Sequence, residues 1–358
     1  MDTGKRISAK SISAEVTGII GSLLERGLMD GVMALKKSGK GYAYSLLTKG
    51  AEMTDVDPLA PYLPTSAANI AAKLSRKGTP KKKIALFVRP CEMRAIVELI
   101  KLLQVDEALY FVELDCPGTL PSKYLTEHSI PGSDEFLNSL DKYRDSIRPA
   151  CSACTDARTD QSDVAIRFLG TGGQLYILGK SEKGSELVKN LFPDAENIEE
   201  PVLPDDIVKS RKQEEEKLFQ FFDKNVGGLD NLLNTFANCM NCHNCMRVCP
   251  ICFCRECFFD STALDFEGEH FVELAARRGD MHLPTDTLLF HIGRMNHMAI
   301  SCVGCGFCED ACPVEIPLLT VFKRISRDVQ ALFDYSAGSS RLDEHPLKTF
   351  REEELEPR

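Results

Sequence analysis

The chain has 358 residues, 43% hydrophobic and 27% charged, with 43 Lys and Arg against 53 Asp and Glu and a formal net charge of −10. Such a length predicts two to three domains with a sizeable core. The acidic balance and the lack of any apolar run of roughly 18–20 residues argue against a nucleic-acid partner or direct membrane insertion.

Residues 1–10 are polar and expected to be loose. Val16, Ile19, Ile20, Leu23 and Leu24 then recur at helical spacing, and Gly27 stands where a helix would stop. Asp30 and Gly31 turn the chain into a strand over Val32–Leu35. A strand over Tyr42–Leu47 and a helix over Thr65–Leu74 follow. The basic triplet Lys81–Lys83 is either a solvated end or a contact for an anionic cofactor. It opens IALFV, a continuous apolar strand of the buried parallel kind. That strand gives way at Arg89-Pro90-Cys91-Glu92 to the helix MRAIVELIKLL. A second apolar strand, ALYFVELDC, ends in Cys116 before Pro117-Gly118. Strand ends that lead into helices are where α/β sheets expose functional groups. Cys151 and Cys154 add a C-x2-C, and with Cys91 and Cys116 they suggest a four-thiolate site built by topology.

The segment DVAIRFLGTGGQLYILG is strand, Gly170-Thr171-Gly172-Gly173, strand. It lacks the strand–GxGxxG–helix order of a dinucleotide fingerprint. These glycines admit either a phosphate-bearing cofactor or a simple hairpin. Residues 193–206 are acidic with Pro201 and Pro204, a linker, and Asp205–Asn225 reads as a charged helix.

The strongest signal lies beyond it. Cys239, Cys242, Cys245 and Cys249 are spaced C-x2-C-x2-C-x3-C with Pro250 following, and Cys302, Cys305, Cys308, Cys312 and Pro313 repeat the pattern. Bacterial ferredoxins hold paired four-iron clusters this way, the fourth Cys serving the other cluster. The ligation expected is therefore crossed: Cys239, Cys242 and Cys245 with Cys312, and Cys302, Cys305 and Cys308 with Cys249. Structural zinc needs only paired C-x2-C knuckles, and disulfide frameworks belong to short secreted chains. This chain opens MDTGKRISAK without an apolar signal core, which predicts a cytoplasmic protein. Cys252, Cys254 and Cys257 fall outside the pattern and leave three alternatives: a further or altered cluster, another metal, or buried thiols. Some forty residues separate the motifs, so helices are inserted there, carrying His282, His291 and His297, for which a metal role is not expected. A helix over 316–333 closes the module, and the charged tail from Asp334 is expected to be loose or to meet a partner.

With these residues in hand, the chain resembles the beta-subunit family of coenzyme F420-dependent hydrogenases and formate dehydrogenases over most of residues 8–330. The family's G-T-P-C-Q-like motif is similar to Val88-Arg89-Pro90-Cys91-Glu92. Its later strand-end cysteine looks like Cys116, and its C-x2-C-x-D segment looks like Cys151, Cys154 and Asp156. The resemblance implies that these four cysteines hold a third 4Fe-4S cluster beside FAD, with Thr17 and Gly170, Thr171, Gly172 and Gly173 near the flavin. The dicluster module makes the formate dehydrogenase beta subunit look closer. In place of the family's N-terminal Gly-rich stretch stands Ser13-Ala14-Glu15, and Arg89 replaces a small residue.

The implied architecture is an α/β (α+β) flavin- and cluster-binding domain over 1–200, then a linker and charged helix over 201–235. A mostly α ferredoxin-like dicluster domain over 236–333 with a helical insert and a charged tail over 334–358 complete it. The implied function is electron passage between a formate dehydrogenase or hydrogenase catalytic subunit and FAD, with hydride exchange to coenzyme F420 or a similar carrier; no side chain is assigned as catalytic. The alternative is a pure electron-wiring subunit between such an enzyme and a heterodisulfide-reductase-like partner.

Overall fold

A computed structural model describes residues 2–281 and 283–350. Eight strands form one sheet in the order β3-β2-β4-β5-β6-β7-β1-β8. They are β1 (Asp2–Ser8), β2 (Gly31–Ser38), β3 (Gly41–Leu47), β4 (Ile84–Val88), β5 (Tyr110–Leu114), β6 (Val164–Arg167), β7 (Gln174–Gly179) and β8 (Glu196–Ile198). Neighbours in the run β2-β4-β5-β6 are parallel, and the outer pairings are antiparallel. The parallel strands are the apolar runs of the sequence, since a strand covered on both faces has no solvent side to keep polar.

Side chains alternate between two cores. Ala85 and Phe87 of β4 face a cluster with Val16, Ile20 and Leu23 of α1 (Ile12–Glu25) and with Leu187 and Val188 of the helix Glu182–Leu191. Leu86 and Val88 face α2 (Ala67–Ser75) and α3 (Pro90–Lys101). This second core continues without a break into the cysteine-rich segment, through Cys245, Met246, Phe290 and Phe322. The α1 boundary follows local chemistry: Ser11 accepts a hydrogen bond from the Ala14 amide at 3.0 Å, and Gly27 turns the chain at φ +66.

Two expectations are corrected. The opening stretch is not loose over its described residues, because Asp2–Ser8 is a strand whose backbone pairs with β7 and β8. Only Gly4 of it is buried, so the sequence carries no apolar alternation to announce it. Within residues 334–350 the tail folds back on α3. Tyr335, Ala337 and His345 are buried, and the Gly338 amide donates to Glu98 at 2.8 Å.

Candidate iron–sulfur centre

Cys91 lies at the start of α3, just past β4, and Cys116 lies just past the neighbouring parallel strand β5. Both therefore emerge at one end of the sheet. Cys151 reaches the same place on the short helix Pro149–Ser152. Gly118, at φ +116, lets the turn after Cys116 approach so closely that a Cβ there would stand 2.9 Å from Ile147 and 3.5 Å from the Cys151 Cβ. The Thr119 hydroxyl lies 3.4 Å from Cys151 Sγ, and Arg148 Nη2 lies 3.9 Å from the same sulfur. Burial pushes the Cys116 thiol up to about 11, against Arg89, with the Cys151 charge adding to the rise. Burial also raises Cys91, on which Glu92, Cys305, Cys116 and Cys154 act in turn. The structure thus brings together Cys91, Cys116, Cys151 and Cys154. Arg89, the departure from the resembled pattern, is buried and donates to the carbonyls of Asp115 and Ala60 at 3.3 and 3.2 Å.

The two ferredoxin-like motifs interlock. A small cavity is lined by Cys239, Cys242, Cys245 and Cys312, with Phe290 and His291 on its wall. Burial raises Cys239, and the charges of Cys312 and Cys242 push it the same way. Burial pushes Cys245 up to about 11 against the pull of Arg294, with Cys239, Cys312 and Cys242 adding to the rise. In the second motif burial pushes Cys305 up to about 12, and Cys249 is the first thiol acting on it. Cys308 and Cys302 are likewise raised by burial and then by a group that includes Cys249. The fourth cysteine of each motif therefore sits with the first three of the other.

The residues also suit an anionic, sulfide-bearing guest. Buried polar atoms without a hydrogen-bond partner include Arg148 Nε and Nη1, Arg294 Nε, His291 Nδ1 and His243 Nε2. All belong to residues around the thiol sets, where a native interior seldom leaves such groups unpaired. Among the described residues no three His, Cys, Asp or Glu side chains converge on the place of a single metal ion. A cubane, which holds its thiolates further apart, fits this arrangement.

Gly306, at φ +71, brings the second motif against the strand-end set: a Cβ there would stand 2.3 Å from the Ala150 Cβ. Together with the action of Cys305 on Cys91, this gives the three sets an order, with the Cys302 set in the middle.

Of the cysteines outside the pattern, Cys252 Sγ lies 3.0 Å from Met298 Sδ and donates to Cys249, lowering Cys249 and raising itself. Cys257 lies 3.6 Å from Met246 Sδ, and Cys254 is exposed. The insert carries the residues that sequence reasoning passed over. His291 Nε2 is 3.3 Å from Cys239 Sγ, and its ring stacks on Phe236 at 4.0 Å. Burial, then the Arg294 and His243 charges, hold its pKa down to about 3, so at neutral pH it is uncharged. The spacing His291, Arg294, Met298, with Phe290 and Met295 beside it, was the available signal: one helix face facing the thiols. His282 lies outside the described residues.

The positions named for a flavin have partners within the fold. Thr17 donates to the Val56 carbonyl at 3.3 Å. Residues 170–173 form the β6–β7 turn, in which the Thr171 hydroxyl bonds the carbonyls of Phe168 and Gln174 at 2.9 and 2.5 Å, and Gly170 abuts Pro204. Among the described residues no hydrogen bond joins Thr17 to this turn. An open cavity of about 480 Å³, lined by residues 155–160 and 200–203, lies next in sequence to Cys154. Its one arginine, Arg158, is engaged by Asp115 at 2.7 and 2.8 Å.

Residues 234–316 match the family model described as a 4Fe-4S dicluster domain. Two curated relatives align along most of the chain. The F420-dependent formate dehydrogenase subunit beta of Methanocaldococcus jannaschii is 26% identical over 90% of this chain and 91% of its own. The F420-dependent formate dehydrogenase 1 subunit beta of Methanococcus maripaludis is 27% identical over 90% of each. Among solved structures, a chain of a xenon-derivatised F420-reducing NiFe hydrogenase complex from Methanosarcina barkeri is 14% identical with a TM-score of 0.45, over 64% of this chain and 94% of that one. The chain resembles the coenzyme F420 beta-subunit family, and the likeness to the formate dehydrogenase branch runs nearly end to end. No helix among the described residues is long and apolar enough to cross a membrane.

Proposed function

We propose that this protein is the iron–sulfur beta-type subunit of an F420-dependent formate dehydrogenase or similar oxidoreductase, passing electrons between a catalytic partner subunit and a soluble carrier. The observation that carries the reading is the nearness of the thiols: Cys312 lines one cavity with Cys239, Cys242 and Cys245, the Cys249 charge acts on Cys305 and that of Cys305 on Cys91, and Gly306 packs against Ala150 beside Cys151. Clusters in these sets would supply one-electron transfer, and a flavin would convert it to hydride exchange with coenzyme F420. The chain's own work is to hold thiols apart from water in the core shared by sheet and dicluster segment, and to keep the sets adjacent. At the open cavity beside Cys154 the charge of Arg158 is taken up by Asp115, and the lining itself carries Asp156, Asp160 and Glu200, so that wall would suit a ring edge better than a diphosphate.

A second reading is an electron-wiring subunit between a formate dehydrogenase or hydrogenase and a heterodisulfide-reductase-like partner. One observation favours it: Thr17 and residues 170–173 are already bonded within the fold. Anaerobically purified protein separates the two. Under the first reading, denaturation releases a flavin, and the reduced protein bleaches oxidised coenzyme F420. Cluster signals without flavin or bleaching leave only the second, and absence of iron and acid-labile sulfide removes both.

A further inference from the structure

We infer that Arg294 raises the reduction potentials of the groups held by both ferredoxin-like motifs, acting as a tuning residue wedged between them; this rests on the iron–sulfur reading proposed above. Its side chain is 2% exposed. Nη1 donates to Cys245 Sγ at 2.9 Å, and Nη2 donates to the Cys245 carbonyl at 3.1 Å. Nη2 also lies 3.8 Å from Met298 Sδ, itself 3.6 Å from Cys249 Sγ. The guanidinium therefore touches the first set directly, through Cys245, and borders the second through Cys249.

What this cation lacks is as telling. Among the described residues no carboxylate forms an ion pair with Arg294. Its other neighbours include Cys252 and the rings of Phe290 and Phe322, the rings at 5.5 and 4.8 Å. A buried charge without a counter-charge is costly. Of the nearby groups, only the cysteine sulfurs can supply one, with Cys245, Cys249 and Cys308 foremost. Each electron added to a thiolate-held cluster makes it more anionic. A fixed cation that donates a hydrogen bond to the ligand sulfur favours the reduced state over the oxidised one. His291, one turn earlier on the same helix and 3.3 Å from Cys239 Sγ, brings a polar ring to the first set but no charge. The insert between the motifs is thus more than a spacer, for it delivers a buried cation that both sets share.

The test is a mediated redox titration of the full-length, anaerobically purified protein, followed by electron paramagnetic resonance, with parent, R294K and R294M compared. R294M should make reduction of the two motif clusters at least about tenfold less favourable, a potential lower by about 59 mV per tenfold for a one-electron couple. R294K, which keeps the charge but not the planar fork, should fall between, and the signal assigned to the Cys91 set should not move. Unchanged potentials in an R294M protein with parental iron content overturn the inference. If R294M loads less iron, R294K decides it: a parental potential there, or loss of iron in both variants, makes Arg294 structural only. A parent without iron–sulfur signals defeats the proposed function instead.

Discussion

At the scale of single residues, the sharpest claim is which cysteine serves which set. The cavity that joins Cys312 to Cys239, Cys242 and Cys245 predicts that Cys312→Ser and Cys239→Ser erase the same reduced-state resonance. Cys249→Ser should erase the one lost in Cys305→Ser. Spectra in which Cys312→Ser instead matches Cys305→Ser would show uncrossed ligation. Gly306 makes a second case. It takes a left-handed φ of +71 against Ala150, so Gly306→Ala should cost about 1–3 kcal/mol in thermal or denaturant unfolding. The two cysteine motifs were legible in the spacing alone, because a cubane's size and a tight loop leave few other ways to place three thiolates. The partnership of Arg294 with Cys245 was not, because an arginine in an amphipathic helix is ordinarily a solvated one.

At the scale of elements, the returning tail behaves as a latch on α3. Tyr335 donates to both Glu98 oxygens at 2.7 and 2.8 Å, and Lys101 pairs with Glu98 at 2.8 Å. His345 Nε2 stands 3.3 Å from Glu98 and 2.6 Å from the Ser301 hydroxyl, one residue before Cys302. Burial alone would raise Glu98, but hydrogen bonds from His345, Lys101 and Tyr335 outweigh it and hold the carboxyl below its ordinary value. A depressed folded-state pKa gives stability that is present above the unfolded value of about 4.3 and lost as pH falls through the folded one. Unfolding followed from pH 7 downward should therefore show an acid-sensitive component that Glu98→Gln removes. The same substitution at pH 7 strands Lys101 and should cost about 3–5 kcal/mol. Tyr335→Phe should cost about 1.5–3 kcal/mol, since it deletes a hydrogen bond to a buried charge. An unfolding midpoint unmoved by either change would mean that the tail does not latch the loop before Cys302.

At the scale of the whole molecule, sheet and dicluster segment share a core, and the cysteine sets lie where they meet. The three four-iron clusters proposed above would give about twelve iron and twelve acid-labile sulfide per chain. Because a thiolate site seldom preforms in an unfolded chain, stripping the iron anaerobically should lower the unfolding temperature of the sheet as well as of the cysteine-rich segment, read by far-ultraviolet circular dichroism. A sheet transition indifferent to iron would separate the two halves energetically.

The amino-acid order alone determined the apolar strands β4 and β5, the charged helix Asp205–Asn225 and the paired cysteine motifs. Each is written in neighbouring residues as an apolar run, a helical period or a fixed spacing. Strand β1, the latch of Tyr335 and His345 on Glu98, the order of the three sets and the place of Arg294 were decided only in three dimensions. Their partners lie tens to hundreds of positions away. What selects them is backbone pairing and the cost of a buried charge left alone, and neither leaves a local mark on the chain.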